Sequence, residues 1–96
     1  MTPQEVHAQR DELQLLDVRE APEWAASHVD GALHIPMGQI PARVAELDRT
    51  KPVAVICRSG NRSARTVDYL NGIGFMAHNV DGGLQLWARA GLPVQR

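Results

Sequence analysis

The chain has 96 residues, one cysteine, 44% hydrophobic residues and a formal net charge of -1, which suits a single domain over residues 1–96 with one modest core. A near-neutral balance excludes nucleic acid as a bulk electrostatic partner, and a lone thiol excludes a disulfide framework and fits a reducing compartment. With no apolar leader and no run of about 18 apolar residues, the expectation is a soluble, cytoplasmic protein that meets no membrane.

In chain order, Thr2, Pro3 and Glu5 form a capping-box start for a short helix to about Gln9. "LQLLDV" reads as a strand, "EAPEWAASH" as a helix of one to two turns and "ALHIP" as a short strand. "GQIPARVAELDR" is expected to be one helix with Ile40, Val44 and Leu47 on a common face. "VAVIC" is a continuous apolar run, the pattern of a parallel strand covered on both faces. A Gly-containing loop and the helix "SARTVDYLNGIG" follow, closed by Gly72 or Gly74. "FMAHNV" is a last strand, and "DGGLQLWARAGLPV" a Gly-Gly turn, a short helix bearing Leu84 and Trp87, and a tail. Strands alternate with helices, so the fold class is α/β with a mostly parallel central sheet and helices on both faces.

That placement gives the cysteine a setting. Cys57 ends a central strand, "RSGNR" makes the turn, and Ser63 stands where a helix N-cap belongs. Between Pro52 and Val67 there is no acidic residue, while Arg58, Arg62 and Arg65 all fall there. Ligands of open α/β sheets bind beyond the carboxyl ends of strands, where loop amides and a helix N-terminus converge on an anion. A thiolate is itself an anion, and thiols so placed have pKa values lowered to roughly 3.5–7.5. Gly60 allows the loop conformations that let amides converge. Cysteines that end core strands are commonly inert, but inertness would not explain the arginines and the glycine loop beside this one. The candidate site is therefore Cys57 as nucleophile with a loop of Arg58, Ser59, Gly60, Asn61, Arg62 and Ser63.

These residues resemble the rhodanese family of sulfurtransferases, in its single-domain form. "LLDVREAPEWAASHVDGALHIP" is similar to the family's first conserved region, "VICRSGNRSA" to its active-site loop and "NVDGGLQLWARAGLPV" to its C-terminal signature. Ser27 and Asp30 depart from the usual Gly and Pro of that first region. The resemblance implies a double displacement: the Cys57 thiolate takes the outer sulfur of thiosulfate, or of another small anionic sulfane donor, and sulfite departs. The resulting persulfide then passes its sulfur to cyanide, a thiol or a protein acceptor. The chemistry needs no cofactor and no general base. It does need stabilised negative charge from loop amides and from Arg58 and Arg62, one of which holds the sulfonate end.

Two other functions fit a thiol in such a loop. Cysteine phosphatases and arsenate reductases need five residues between Cys and Arg; here four separate Cys57 from Arg62, and Ser63 occupies the position they require. A sulfur-carrying or regulatory binding module without turnover is the third class. Asp17 and Arg19 end the first strand on the same sheet edge, as capping and structural hydrogen-bonding residues or as a support in which Asp17 orients an active-site arginine. Trp24 and Trp87 are expected to pack in the core or at its rim, and the Asp81-Gly82-Gly83 turn to be architectural. His7, His28, His34 and His78 lack metal-ligand spacing, so no metal site is expected.

Overall fold

The computed structural model describes residues 1–96. The first helix, α1 (Pro3–Ala8), starts as its capping box dictates. Thr2 Oγ1 accepts from the Glu5 amide at 3.1 Å, and the Glu5 carboxylate accepts from the Thr2 amide at 2.8 Å. β1 (Gln14–Asp17), α2 (Ala21–Ala26) and β2 (Leu33–His34) follow. The expected single helix over "GQIPARVAELDR" is broken into a 3-10 turn at Met37–Gln39, the four-residue α3 (Ile40–Arg43) and a second 3-10 turn at Val44–Glu46. Pro41 has no amide proton to continue a helical ladder, and Arg43 leaves helical geometry at φ -118°, ψ 9°. The shared face survives, because Ile40 and Leu47 are buried and Val44 packs against the same cluster.

β3 (Val53–Ile56), α4 (Asn61–Gly72), β4 (Ala77–Asn79) and α5 (Gly83–Arg89) complete the chain. α4 closes at Gly74, which takes φ +98° while the Phe75 amide donates back to Leu70 at 3.0 Å.

The four strands form one parallel sheet in the order β2-β1-β3-β4. Side chains of β3 alternate between two apolar clusters. Val53, Val55 and Cys57 face Ile40 and Leu70 of α3 and α4, while Ala54 and Ile56 face Val6 and Trp87 of α1 and α5. Both faces of the strand are covered, which is why its sequence is apolar without a break; each fully buried Val or Ile stabilises by about 1.5–3 kcal/mol. α2 buries no residue in either cluster and stands apart from this packing.

Topology then chooses the site. From β1 the chain moves to one edge of the sheet, and from β3 it moves to the other. The carboxyl ends of these two neighbouring strands, in register at Asp17 and Ile56, therefore flank the point where connections diverge and a crevice opens. Asp17, Arg19 and Cys57 all lie there.

Candidate active site

Cys57 follows the last residue of β3 and is 1% exposed. Gly60 takes φ +111°, a left-handed conformation that a side chain resists, and this turns its amide back onto Cys57 Sγ at 3.0 Å. Ser63 Oγ lies 3.2 Å from the same sulfur. Burial pushes the Cys57 thiol up, but the Ser63 hydroxyl and the amides of Ser63, Gly60 and Ser59 outweigh it and hold the thiol below its ordinary value.

Ser63 does this from a place the sequence pattern misassigns. It is not the N-cap; Gly60 is, and α4 begins at Asn61. A cap side chain would fold back on its own helix amides, whereas Ser63 is fully buried in the first turn with its hydroxyl among three acceptors: Cys57 Sγ, the Gly60 carbonyl at 3.1 Å and Asn79 Oδ1 at 2.5 Å. Asn79, at the end of β4, also donates to the Gly60 carbonyl at 3.2 Å and so braces the middle and the end of the loop. Its position on the carboxyl edge of the neighbouring strand was the one sequence signal available for it.

The two loop arginines are not equivalent. Arg62 is closed on Glu23 of α2 by two charge-assisted bonds of 2.6 and 2.8 Å. The Arg62 guanidinium draws the Glu23 carboxyl down to about 2, and Glu23 in turn raises Arg62. Arg58 is exposed and its side chain has no hydrogen bond or ion pair. It borders a cleft of about 440 Å³ between α2 and α5 that does not include Cys57 in its lining. Ser59 and Asn61 are exposed and make no side-chain bonds within the protein.

Asp17 orients an arginine, and that arginine is Arg19. Arg19 Nε lies 3.0 Å from each carboxylate oxygen and Nη2 lies 2.8 Å from Oδ2, with both residues buried. The remaining donors of Arg19 reach the carbonyls of Glu23 at 3.3 Å and Ser27 at 2.7 Å. This pair is what fastens the otherwise unburied α2, and α2 carries the Glu23 that grips Arg62. Glu23 lies 39 positions from Arg62, a separation over which no spacing rule could have found it.

The Gly-Gly turn is part of the same assembly. The amides of Leu84 and Gln85 donate to the carbonyls of Cys57 and Arg58 at 2.8 and 3.1 Å. Gly83, at φ +59°, permits that approach, since a Cβ there would fall 2.6 Å from the Arg58 carbonyl carbon and oxygen. Trp87 is fully buried, and Trp24 sits at the rim, stacked on His28 at 3.8 Å and on His34 at 4.8 Å between ring centroids. Ser27 is extended at φ -168°, ψ 149°, a conformation any residue adopts, so a glycine is not required there.

The family model for the rhodanese-like domain matches residues 2–90. Over 88 residues, covering 91% of this chain and 82% of the relative, the chain is 38% identical to a sulfurtransferase of Allochromatium vinosum. Over 87 residues, covering 88% and 82%, it is 37% identical to the thiosulfate sulfurtransferase GlpE of Pseudomonas savastanoi pv. phaseolicola. Among solved structures, a rhodanese-related protein from Thermoplasma volcanium superposes with a TM-score of 0.94 at 33% identity, covering 99% of this chain and 95% of that one. With the cysteine loop, the parallel sheet and these relatives in agreement, the chain belongs to the rhodanese-like domain family.

Proposed function

We propose that this protein is a thiosulfate-type sulfurtransferase, working in the cytoplasm without a cofactor, in which Cys57 carries the sulfur. The Cys57 thiolate attacks the outer sulfur of thiosulfate. A bond forms between the two sulfurs, the sulfur-sulfur bond of thiosulfate breaks, and sulfite leaves with the electron pair. No proton moves in this step. The amides of Ser59, Gly60 and Ser63 stabilise the sulfur anion before and after transfer, and Arg58, whose guanidinium is unpaired, holds the sulfonate end. Arg62 acts at one remove, as a positioning residue that ties the loop to α2. A thiolate or cyanide then takes the outer sulfur, and the electron pair of the broken bond returns to Cys57.

The observation that carries this reading is the setting of Cys57 Sγ, which accepts from the Gly60 amide at 3.0 Å and lies 3.2 Å from the Ser63 hydroxyl. They favour a thiolate inside an otherwise apolar cluster, an expensive arrangement for a thiol with no chemistry to perform. The engagement of Arg62 with Glu23 draws that guanidinium away from the loop, and with Ser63 at the position where phosphoryl chemistry needs its arginine this supports sulfur over phosphoryl transfer. The test is to mix the protein with thiosulfate and follow both products. One sulfite should be released per chain, and Cys57 should gain the mass of one sulfur atom, lost again on adding cyanide. Binding without either change would leave a non-catalytic module, and phosphate release from an aryl phosphate would point to the phosphatase reading.

A further inference from the structure

The Ser63 hydroxyl has one proton and three acceptors in reach. The Gly60 carbonyl is the one that can go without it, because its two lone pairs already receive the Ala64 amide at 3.1 Å and Asn79 Nδ2 at 3.2 Å. That leaves two destinations, Cys57 Sγ at 3.2 Å and Asn79 Oδ1 at 2.5 Å. The same contacts fix the direction of the Asn79 amide, since turning it over would set Oδ1 against the Gly60 carbonyl, acceptor against acceptor. No charged side chain bonds the sulfur. Arg58 is exposed, Arg62 is closed on Glu23, Asp17 and Arg19 at the end of β1 satisfy one another, and His78 and Asp81 on either side of Asn79 and Val80 are exposed.

We infer that Asn79 is a positioning residue that competes with Cys57 for the Ser63 proton and so restrains ionisation of the thiol. In the thiol form the bonds run in one direction, from Cys57 S–H to Ser63 Oγ and from the Ser63 hydroxyl to Asn79 Oδ1. In the thiolate form the hydroxyl turns to the sulfur, and Asn79 Oδ1 loses its donor. Each ionisation therefore gains one hydrogen bond and gives up another. The restraint is useful because a thiolate becomes a weaker nucleophile as its pKa falls. Its consequence for turnover rests on the persulfide reading above. Once the charge has moved to the outer sulfur, the inner sulfur no longer draws the hydroxyl, which returns to Asn79, and it swings back when the outer sulfur leaves. Asn79 makes no bond to the sulfur and acts through Ser63.

The test is a double-substitution cycle read by the pH dependence of Cys57 alkylation with iodoacetamide, on variants shown by their unfolding transitions to be folded. Asn79→Leu removes the competing acceptor at similar size and should lower the inflection by about half a unit to one unit, the scale of one hydrogen bond. In a Ser63→Ala background the same change should leave the inflection where it is. A residue that only braced the loop would, when lost, loosen the Gly60 amide and raise the inflection whether or not Ser63 is present, and that result overturns the inference. Asn79→Asp, which keeps the shape and strengthens the acceptor, decides the matter if the leucine variant fails to fold. It should raise the inflection more with Ser63 in place than with Ser63→Ala, and equal rises overturn the inference. Alkylation needs no sulfur donor. A failure of sulfite release from thiosulfate would therefore overturn the sulfur-transfer reading while this cycle still reports on Asn79.

Discussion

Two strand-to-helix turns lie side by side at the carboxyl edge of the sheet, and they treat their charges in opposite ways. In the turn after β1, Asp17 and Arg19 are 0% and 4% exposed and satisfy one another, with the surplus donors of Arg19 spent on α2. Four of the five guanidinium N–H groups of Arg19 are thus engaged within the protein. In the turn after β3, the amides of Ser59 and Gly60 aim at a sulfur atom and the guanidinium of Arg58 has no partner. The two turns share a register, a direction and a fold position, with Asp17 opposite Ile56. The difference between a brace and a site is thus the presence of unspent polar groups, and the closed turn supports the open one through α2, Glu23 and Arg62.

The comparison can be broken first at the sulfur. Cys57→Ser is expected to abolish sulfite release while leaving the unfolding transition in place, because the smaller hydroxyl fits the same donors. Sustained turnover in that variant would remove Cys57 as the carrier.

In the closed turn the effect should fall on stability instead. Asp17→Ala leaves the Arg19 charge buried without its partner, at a cost of about 3–5 kcal/mol in denaturant unfolding. A cost below about 1 kcal/mol would show that Arg19 finds water or another partner, and that the turn is not the brace described.

Arg58→Ala should do the reverse, with unfolding changed by no more than about 0.5 kcal/mol and the KM for thiosulfate raised about tenfold, since only a substrate contact is lost. Equal losses from Arg58→Ala and Arg62→Ala would erase the distinction between the free and the tied arginine.

A pH profile sharpens the open turn further. Alkylation of Cys57 by iodoacetamide should follow an inflection below that of a free thiol, at about 8.5, and Ser63→Ala should move it upward by removing the foremost hydrogen bond that lowers it. An inflection unmoved by that change would assign the effect to the amides alone.

The smallest effect is expected at the link between the turns. Glu23 is held at about 2, below its ordinary 4.5, so its contribution is complete above pH 4.5 and is lost as pH falls toward 2. With both partners about 30% exposed, solvent screening reduces the pair to roughly 1 kcal/mol. Glu23→Gln should remove that much stability at neutral pH and flatten this part of the acid limb. An identical acid limb in the variant would show the pair to be energetically idle.

Local pattern made much of this legible before any fold was known. The apolar run of β3, the alternation of strands with helices, the capping box at Thr2 and the glycine beside the thiol each express a rule acting within a few residues, so the sheet, the crevice and Cys57 at its edge follow from the chain itself. Local pattern also misled where two rules met: the apolar spacing around Ile40 predicts one helix, and the missing amide of Pro41 divides it. What only the tertiary structure decided is which polar group meets which. Glu23 reaches Arg62 across 39 positions and Ser63 reaches Asn79 across 16. Gly83 lets α5 approach the carbonyls of Cys57 and Arg58, so a turn that reads as architectural also shapes the loop. Charged and polar side chains at the ends of parallel strands have several partners in reach, and the one they take depends on how helices that share no sequence pattern come to lie over the same edge.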